Sequence, residues 1–238
     1  MAQVINTNVG ALFAGAALNK SAIALQTAQQ RLSSGLRINS AADDATGLSI
    51  ATGYDSKIRG ANMNIRNAND GISKAQIADG YLAQITENTQ RLREIYVQTG
   101  AVTNQEAVAL IAENGRIDGL VTGSSAVTVD ESGGTAGGTG TTFTAASSFS
   151  NLAAFDTELT AIGTARAKFG ADMASLASAV ATLQTASVNY SASYSRVMDT
   201  DYAAETSAQA KNNILQQAGT AVLAQANQTP QTVLTLLR

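Results

Sequence analysis

Between residues 44 and 98 the chain carries no proline, and its apolar side chains recur at intervals of three and four. The series is Ile58, Ala61, Ile65, Ala68, Ile72, Ala75, Ala78, Leu82, Ile85, Leu92 and Tyr96, with Thr89 as its polar occupant. Alternating threes and fours average to the 3.5-residue repeat of a coiled-coil seam, and no other feature restricts the fold as much. The two consecutive steps of three at Ile72-Ala75-Ala78 form a stammer that overwinds the seam locally. At the rise of an α-helix this stretch would be on the order of 80 Å long, so it must pack along other helices.

Its partner lies nearer the other end. Phe155, Leu159, Ile162, Phe169, Met173, Leu176, Val180, Leu183, Tyr190, Tyr194 and Val197 keep the same alternation, with Arg166 and Ser187 as the polar occupants. Arg166 is expected at the rim, stem packed and head in water. Residues 106–121 predict a shorter helix through Ala109, Leu110, Ile117 and Leu120. Residues 122–150 differ sharply, holding six glycines, six serines and seven threonines with no basic residue. There Ala126-Val127-Thr128-Val129 and Thr141-Thr142-Phe143-Thr144 alternate weakly about Gly133-Gly134, which reads as a β-hairpin or as an exposed loop.

The composition removes most chemistry. Without Cys or His the chain has no disulfide, thiol nucleophile, His-ligated metal or His-based triad. A formal charge of −3 supplies no basic face, so no nucleic-acid partner is expected. No window approaches the length of apolar residues needed to span a bilayer, so no membrane insertion is expected. The paired acids Asp43-Asp44 and Asp130-Glu131 read as a helix start and a solvated loop rather than a catalytic pair, and no cofactor or metal site is expected.

Both ends carry weak apolar stripes. Leu18, Leu25 and Leu32 lie seven apart with Ala28 in support, and Leu215 and Val222 repeat by seven with Ala218 between. Thr229-Pro230 reads as an N-cap and first helical residue that restart a helix through Val233, Leu234, Leu236 and Leu237. Exposed apolar stripes mark interaction surfaces, which makes the ends expected subunit contacts, through Leu18, Leu25, Leu32, Leu215, Val222, Val233, Leu234 and Leu237. The first residues, Met1-Ala2-Gln3-Val4, do not read as a cleavable secretory signal.

The residues themselves resemble bacterial flagellin. The N-terminal likeness runs through Ile5-Asn6-Thr7-Asn8, Gln30-Arg31-Leu32-Ser33-Ser34-Gly35-Leu36-Arg37-Ile38-Asn39, Ala41-Ala42-Asp43-Asp44-Ala45-Thr46-Gly47-Leu48-Ser49-Ile50 and Asn67-Ala68-Asn69-Asp70-Gly71-Ile72-Ser73. The C-terminal likeness runs through Asp201-Tyr202-Ala203, Ile214-Leu215-Gln216-Gln217-Ala218-Gly219-Thr220 and Val222-Leu223-Ala224-Gln225-Ala226-Asn227-Gln228. The resemblance implies a mainly α fold: a long antiparallel helical coiled-coil rod with paired N- and C-terminal helices and a small central loop or β-hairpin. It implies an inner tube from residues 1–42 with 201–238, a rod domain from residues 43–200, and a connector at residues 33–42. The large outer domains of many relatives have no counterpart in residues 122–150. Function by resemblance is self-assembly into a secreted, extracellular motility filament, with ends that fold on polymerisation. An export chaperone and a filament cap are the further partners implied.

One segment carries a second expectation. Gln90-Arg91-Leu92-Arg93-Glu94-Ile95 resembles the stretch by which many flagellins are recognised by Toll-like receptor 5, with Arg91 as a fork-shaped anchor. The structural alternative is a solvated helix face braced by Glu87–Arg91 and Arg91–Glu94 pairs. Against the filament subunit stand a hook–filament junction protein and a secreted coiled-coil adhesin or translocon protein. The adhesin would need a membrane-active or ligand-binding middle, which residues 122–150 do not supply. An enzyme fits least well.

Overall fold

A computed structural model describes residues 7–121, 127–128, 135–137 and 143–236. In chain order the elements are α1 (Val9–Ser34), α2 (Ala45–Thr99), α3 (Gln105–Asp118), β1 (Val127–Thr128), β2 (Thr135–Ala136), α4 (Leu152–Met198) and α5 (Tyr202–Leu236). Contacts divide the chain into two compact units. One is Asp55–Ser191, and the other joins Met1–Tyr54 to Ala192–Arg238.

In the unit Asp55–Ser191, α2 and α4 run antiparallel. Lys57 sits over the Tyr190 ring, Ser187 bonds Asn62, Arg166 pairs with Asp79 and Arg93 with Asp156, so contacts climb one helix while descending the other. Every member of the α2 series from Ile58 to Tyr96 is buried or half-buried, and so is every member of the α4 series from Phe155 to Tyr190. Ala75, Ala78, Leu82 and Ile85 of α2 meet Ile162, Ala165 and Phe169 of α4, with Ile117 of α3 and Val121 closing the third side. A second cluster gathers Leu92, Ile95, Ala107, Phe149 and Phe155. Arg166 behaves as its pattern predicts: its guanidinium leans out to make a two-pronged pair with Asp79, at 2.7 and 3.3 Å.

The core also holds polar groups. Asn88 Nδ2 donates to Asn114 Oδ1 at 2.8 Å, Asn114 Nδ2 donates to Thr89 Oγ1 at 3.3 Å, and Gln84 donates to Asn88. This network explains the polar break at Thr89, whose hydroxyl is the acceptor that ties α3 to α2. Buried amides accept only a partner at the right height, so they fix where α3 docks.

Residues 143–150 lie against the same unit. Phe143 packs on the first cluster, Phe149 stacks on Phe155 with centroids 4.2 Å apart, and Ala146 N–H donates to Glu158 at 3.0 Å. Glu158 is buried, and desolvation raises its pKa despite that bond. The hairpin expectation holds in part: β1 pairs antiparallel with β2, Val127 opposite Ala136. The second strand is misplaced by the sequence reading, because Phe143 and Thr144 are not in a strand. The alternation that marks them reflects Phe143 turning to the helical core. Thr141 and Thr142 lie outside the described residues.

In the other unit α1 and α5 pair antiparallel, joined by Asn8 to Ala226 at one end and Arg31 to Glu205 at the other. Asn8 caps α1 by accepting from Ala11 N–H, and Gly35 ends it in the left-handed region at φ 73°, its N–H on the Arg31 carbonyl. The turn is then clipped to the end of α4. Arg37 N–H bonds the Met198 carbonyl, Thr200 N–H bonds the Gly35 carbonyl, and the Arg37 guanidinium covers the Val197 carbonyl. A cation on the last free carbonyls of a helix is favourable. Beneath this clip lies a small cluster of Ile38, Ala51 and Met198 with Leu36, Leu48, Tyr194 and Val197. Asp43 accepts from Asn39 and Ser40 and Asp44 caps Gly47, so this acid pair organises a helix start.

The expected helix restart at Thr229-Pro230 is corrected: α5 runs without a break to Leu236. Pro230 has no N–H for the Ala226 carbonyl one turn back, which is why the dipeptide reads as a start. Here that carbonyl accepts from Asn8 Nδ2 at 2.7 Å instead.

Candidate assembly interface

The α1–α5 contact is built from a small-residue seam. On α1, Ala14, Ser21 and Ala28 are buried and Leu18, Leu25 and Leu32 half-buried, six positions stepping by four and three. On α5 the half-buried line is Glu205, Ala208, Asn212, Gln216, Gly219, Leu223 and Ala226. Gly219 belongs there for a spatial reason, since a Cβ at that position would stand 3.0 Å from Leu18 Cδ1. The leucine stripe foreseen as a subunit contact lies half-buried along this seam, with Leu18 against Gly219.

α1 and α5 also leave large apolar side chains uncovered. Val9, Leu12, Phe13 and Ile23 on α1, and Ile214, Leu215 and Val222 on α5, are all exposed, Phe13 to 77%. At 100° per residue Leu12 and Ile23 fall on the side of α1 opposite the seam, Ile214 falls opposite on α5, and Leu215 and Val222 flank the α5 seam. Apolar groups on a helix normally gather toward the intrachain partner, and here they are on both sides. Side chains of this size left in water mark a surface that another molecule covers. Of the remaining expected contacts, Val233 and Leu234 fall within α5, and Leu237 lies outside the described residues.

The segment Gln90-Arg91-Leu92-Arg93-Glu94-Ile95 lies on α2 in the other unit and splits by face. Leu92 and Ile95 are in the core with Phe149 and Phe155, while Gln90, Arg91, Arg93 and Glu94 are exposed. Arg91 Nε donates to Glu106 of α3 at 2.9 Å and its Nη1 to Glu94 at 3.1 Å; these bonds, to Glu106 first, raise its pKa. Arg93 pairs with Asp156 of α4 at 3.3 Å. Tyr96 packs on Phe155 and donates its hydroxyl to the Ser150 carbonyl at 3.1 Å. The sequence pattern gives no sign of Glu106 as an Arg91 partner, because it comes from another helix. Ala14 and Ser21 are within reach of the sequence, since they complete the four-three alternation of Leu18, Leu25 and Leu32.

Residues 5–122 match the family described as the bacterial flagellin N-terminal helical region, and residues 152–237 match the bacterial flagellin C-terminal helical region. Over 107 residues the chain is 54% identical to a flagellin of Salmonella rubislaw, a match covering 45% of this chain and 22% of that protein. It is 54% identical to the phase 2 flagellin of Salmonella typhimurium strain LT2 and 52% identical to a flagellin of Escherichia coli strain K12, covering 21% and 22% of those proteins. These alignments span well under two thirds of the relatives' own length. Matched at both ends, in order, over helices that pair, the chain belongs to the bacterial flagellin family.

Proposed function

We propose that this protein is a structural subunit that self-assembles into an extracellular flagellar filament serving motility. The observation that carries the reading is the exposed apolar face on both terminal helices, Leu12, Phe13 and Ile23 with Ile214, Leu215 and Val222, in a chain of this family. Such a face is covered by further copies of the same chain. Contacts between unlike surfaces that do not close into a ring propagate as a helix. The activity is association alone, with no catalysed reaction, and an export chaperone and a filament cap are its accessory partners. No helix among the described residues is long and apolar enough to cross a membrane.

The test is elongation of short filament seeds by the purified chain, followed by electron microscopy. Uniform extension is expected, and seeds that stay short while a known flagellin extends them would overturn the reading. Replacing Leu215 and Val222 together by Asp should abolish elongation while leaving the helicity of residues 44–198 nearly unchanged, as circular dichroism would report.

A second role is favoured by the exposed quartet Gln90, Arg91, Arg93 and Glu94. As a free subunit the chain offers this face to Toll-like receptor 5, with Arg91 as the anchor and Leu92 and Ile95 supporting it from the core. R91A should then lose receptor signalling while elongating seeds normally.

A further inference from the structure

Along α1 the seam nearly repeats itself. Ala14, Ser21 and Ala28 are small at intervals of seven, and Leu18, Leu25 and Leu32 are identical at the same interval. Sliding α1 along α5 by seven residues therefore exchanges like for like over most of the contact, so the seam itself opposes it weakly, although the backbone bond from Thr200 N–H to the Gly35 carbonyl has to open with it. In paired helices a register of this kind is set by unique polar contacts. Two stand out along this seam, and they lie at its ends: Arg31 with Glu205 at 3.6 Å, and Asn8 with the Ala226 carbonyl at 2.7 Å.

We propose that Asn8 is the register clasp of the terminal helix pair, working through the backbone carbonyl that Pro230 leaves free. A carbonyl inside a helix ordinarily accepts from the N–H four residues on, and at Ala226 that residue is proline. One acceptor along α5 is thereby singled out from its repeated neighbours. Asn8 meets it with a side chain that does both jobs required there. Its Oδ1 accepts from Ala11 N–H and starts α1, while its Nδ2 donates to Ala226. A shift by seven residues breaks the second bond without disturbing the first. The consequence for assembly rests on the filament reading: a fixed register sets the relative height of Phe13 and Ile23 against Ile214 and Val222, so one pair presents one surface.

The chain has no cysteine, which permits a direct test. A Cβ at Gly219 stands 3.9 Å from Leu18 Cβ, inside the span of about 3.5–4.5 Å that disulfides bridge. The pair L18C/G219C reports the native register, and L25C/G219C reports a slip of seven, about 10 Å along the helix. Both are equilibrated against glutathione in the full chain, free and after elongation on seeds.

N8D keeps a good cap and loses the donor; N8S is a neutral cap with a shorter reach. Each should lower the native-register disulfide about fivefold, the scale of one net hydrogen bond, and raise the slipped one. In P230A the Ala226 carbonyl recovers its own helix donor, and there N8D should change the native disulfide less than about twofold. An unchanged disulfide in N8D, an equal loss from N8D in the parent and P230A backgrounds, or no L18C/G219C disulfide in either state would overturn the clasp. A chain that shows the cycle yet never extends seeds overturns the filament reading and leaves the clasp standing.

Discussion

The unit Asp55–Ser191 and the unit formed by the chain's two ends are written in the same heptad code and come out differently. The first buries Phe155, Phe169, Leu82, Ile85, Leu92, Ile162 and Leu176 to 2% exposure or less. The α1–α5 seam of the second buries two alanines and a serine, Ala14, Ala28 and Ser21, keeps Leu18, Leu25 and Leu32 half-buried, and leaves Phe13 and Ile23 in water. A large apolar side chain gains about 1.5–3 kcal/mol on burial, and an alanine supplies only a fraction of that area. Heptad spacing thus decides that helices pair, whereas the size of the residues at the seam decides whether the pair is sufficient by itself. Both units leave large apolar groups in water, Val97 and Val188 in the first as well as Phe13 and Ile23 in the second, but the first also encloses a core of large side chains that the α1–α5 seam lacks.

The largest expected effect breaks the core of the first unit. Phe155 stacks on Phe149 and packs on Tyr96 with no exposure, so F155A should cost about 3–5 kcal/mol and lower its melting temperature. The α1–α5 pair has no residue of comparable weight, and L25A should cost visibly less in the free chain.

Acid should act on one carboxylate of each unit in opposite directions. Backbone N–H groups of Ser40 and Asn39 hold the Asp43 pKa below its ordinary value, so its stabilisation is complete above the ordinary carboxylate range and is lost as pH falls through the lowered value. Burial holds the Glu158 pKa up, so ionised Glu158 costs stability that is recovered as pH falls below the raised value. E158Q should therefore stabilise its unit at pH 7–8, and that advantage should vanish in acid; D43N should weaken the clip at neutral pH and match the parent in strong acid. Melting curves against pH check both signs, and a pH-independent difference would contradict them.

The smallest effect sharpens the comparison at the seam. Nothing lies within 4 Å of a Cβ added at Gly80, so G80A should gain about 0.5–1 kcal/mol from helix propensity alone. At Gly219 the added methyl meets Leu18, and G219A should forfeit most of that gain. Equal stabilisation by the two, read as equal shifts in melting temperature, would mean that α1 does not lie against α5 as described.

The parts legible in the sequence are those set by periodicity. The α2 and α4 seams, their lengths and the rim position of Arg166 follow from spacing, because a repeat of 3.5 has one geometrical answer. The flagellin likeness is equally readable, from long ordered matches at both ends. What escapes depends on groups brought together from distant positions. Glu106 reaches Arg91 across helices, and Asn8 satisfies a carbonyl 218 residues away, which is how a Thr-Pro pair ends up inside a helix. Phe143 reads as strand because alternation over four residues cannot distinguish a strand from a segment laid on a helical core. A stripe shows that a face is covered, and only the fold shows that the α1 leucines lie half-buried along the α5 seam.

The most direct test of this difference between the units is amide hydrogen exchange on the free chain and on the same chain after elongation on seeds. Strong protection of residues 72–92 and 155–176 is expected in both states, with α1 and α5 exchanging readily when free and becoming protected on assembly. Terminal helices protected in the free chain as strongly as residues 72–92, or gaining nothing on assembly, would contradict it.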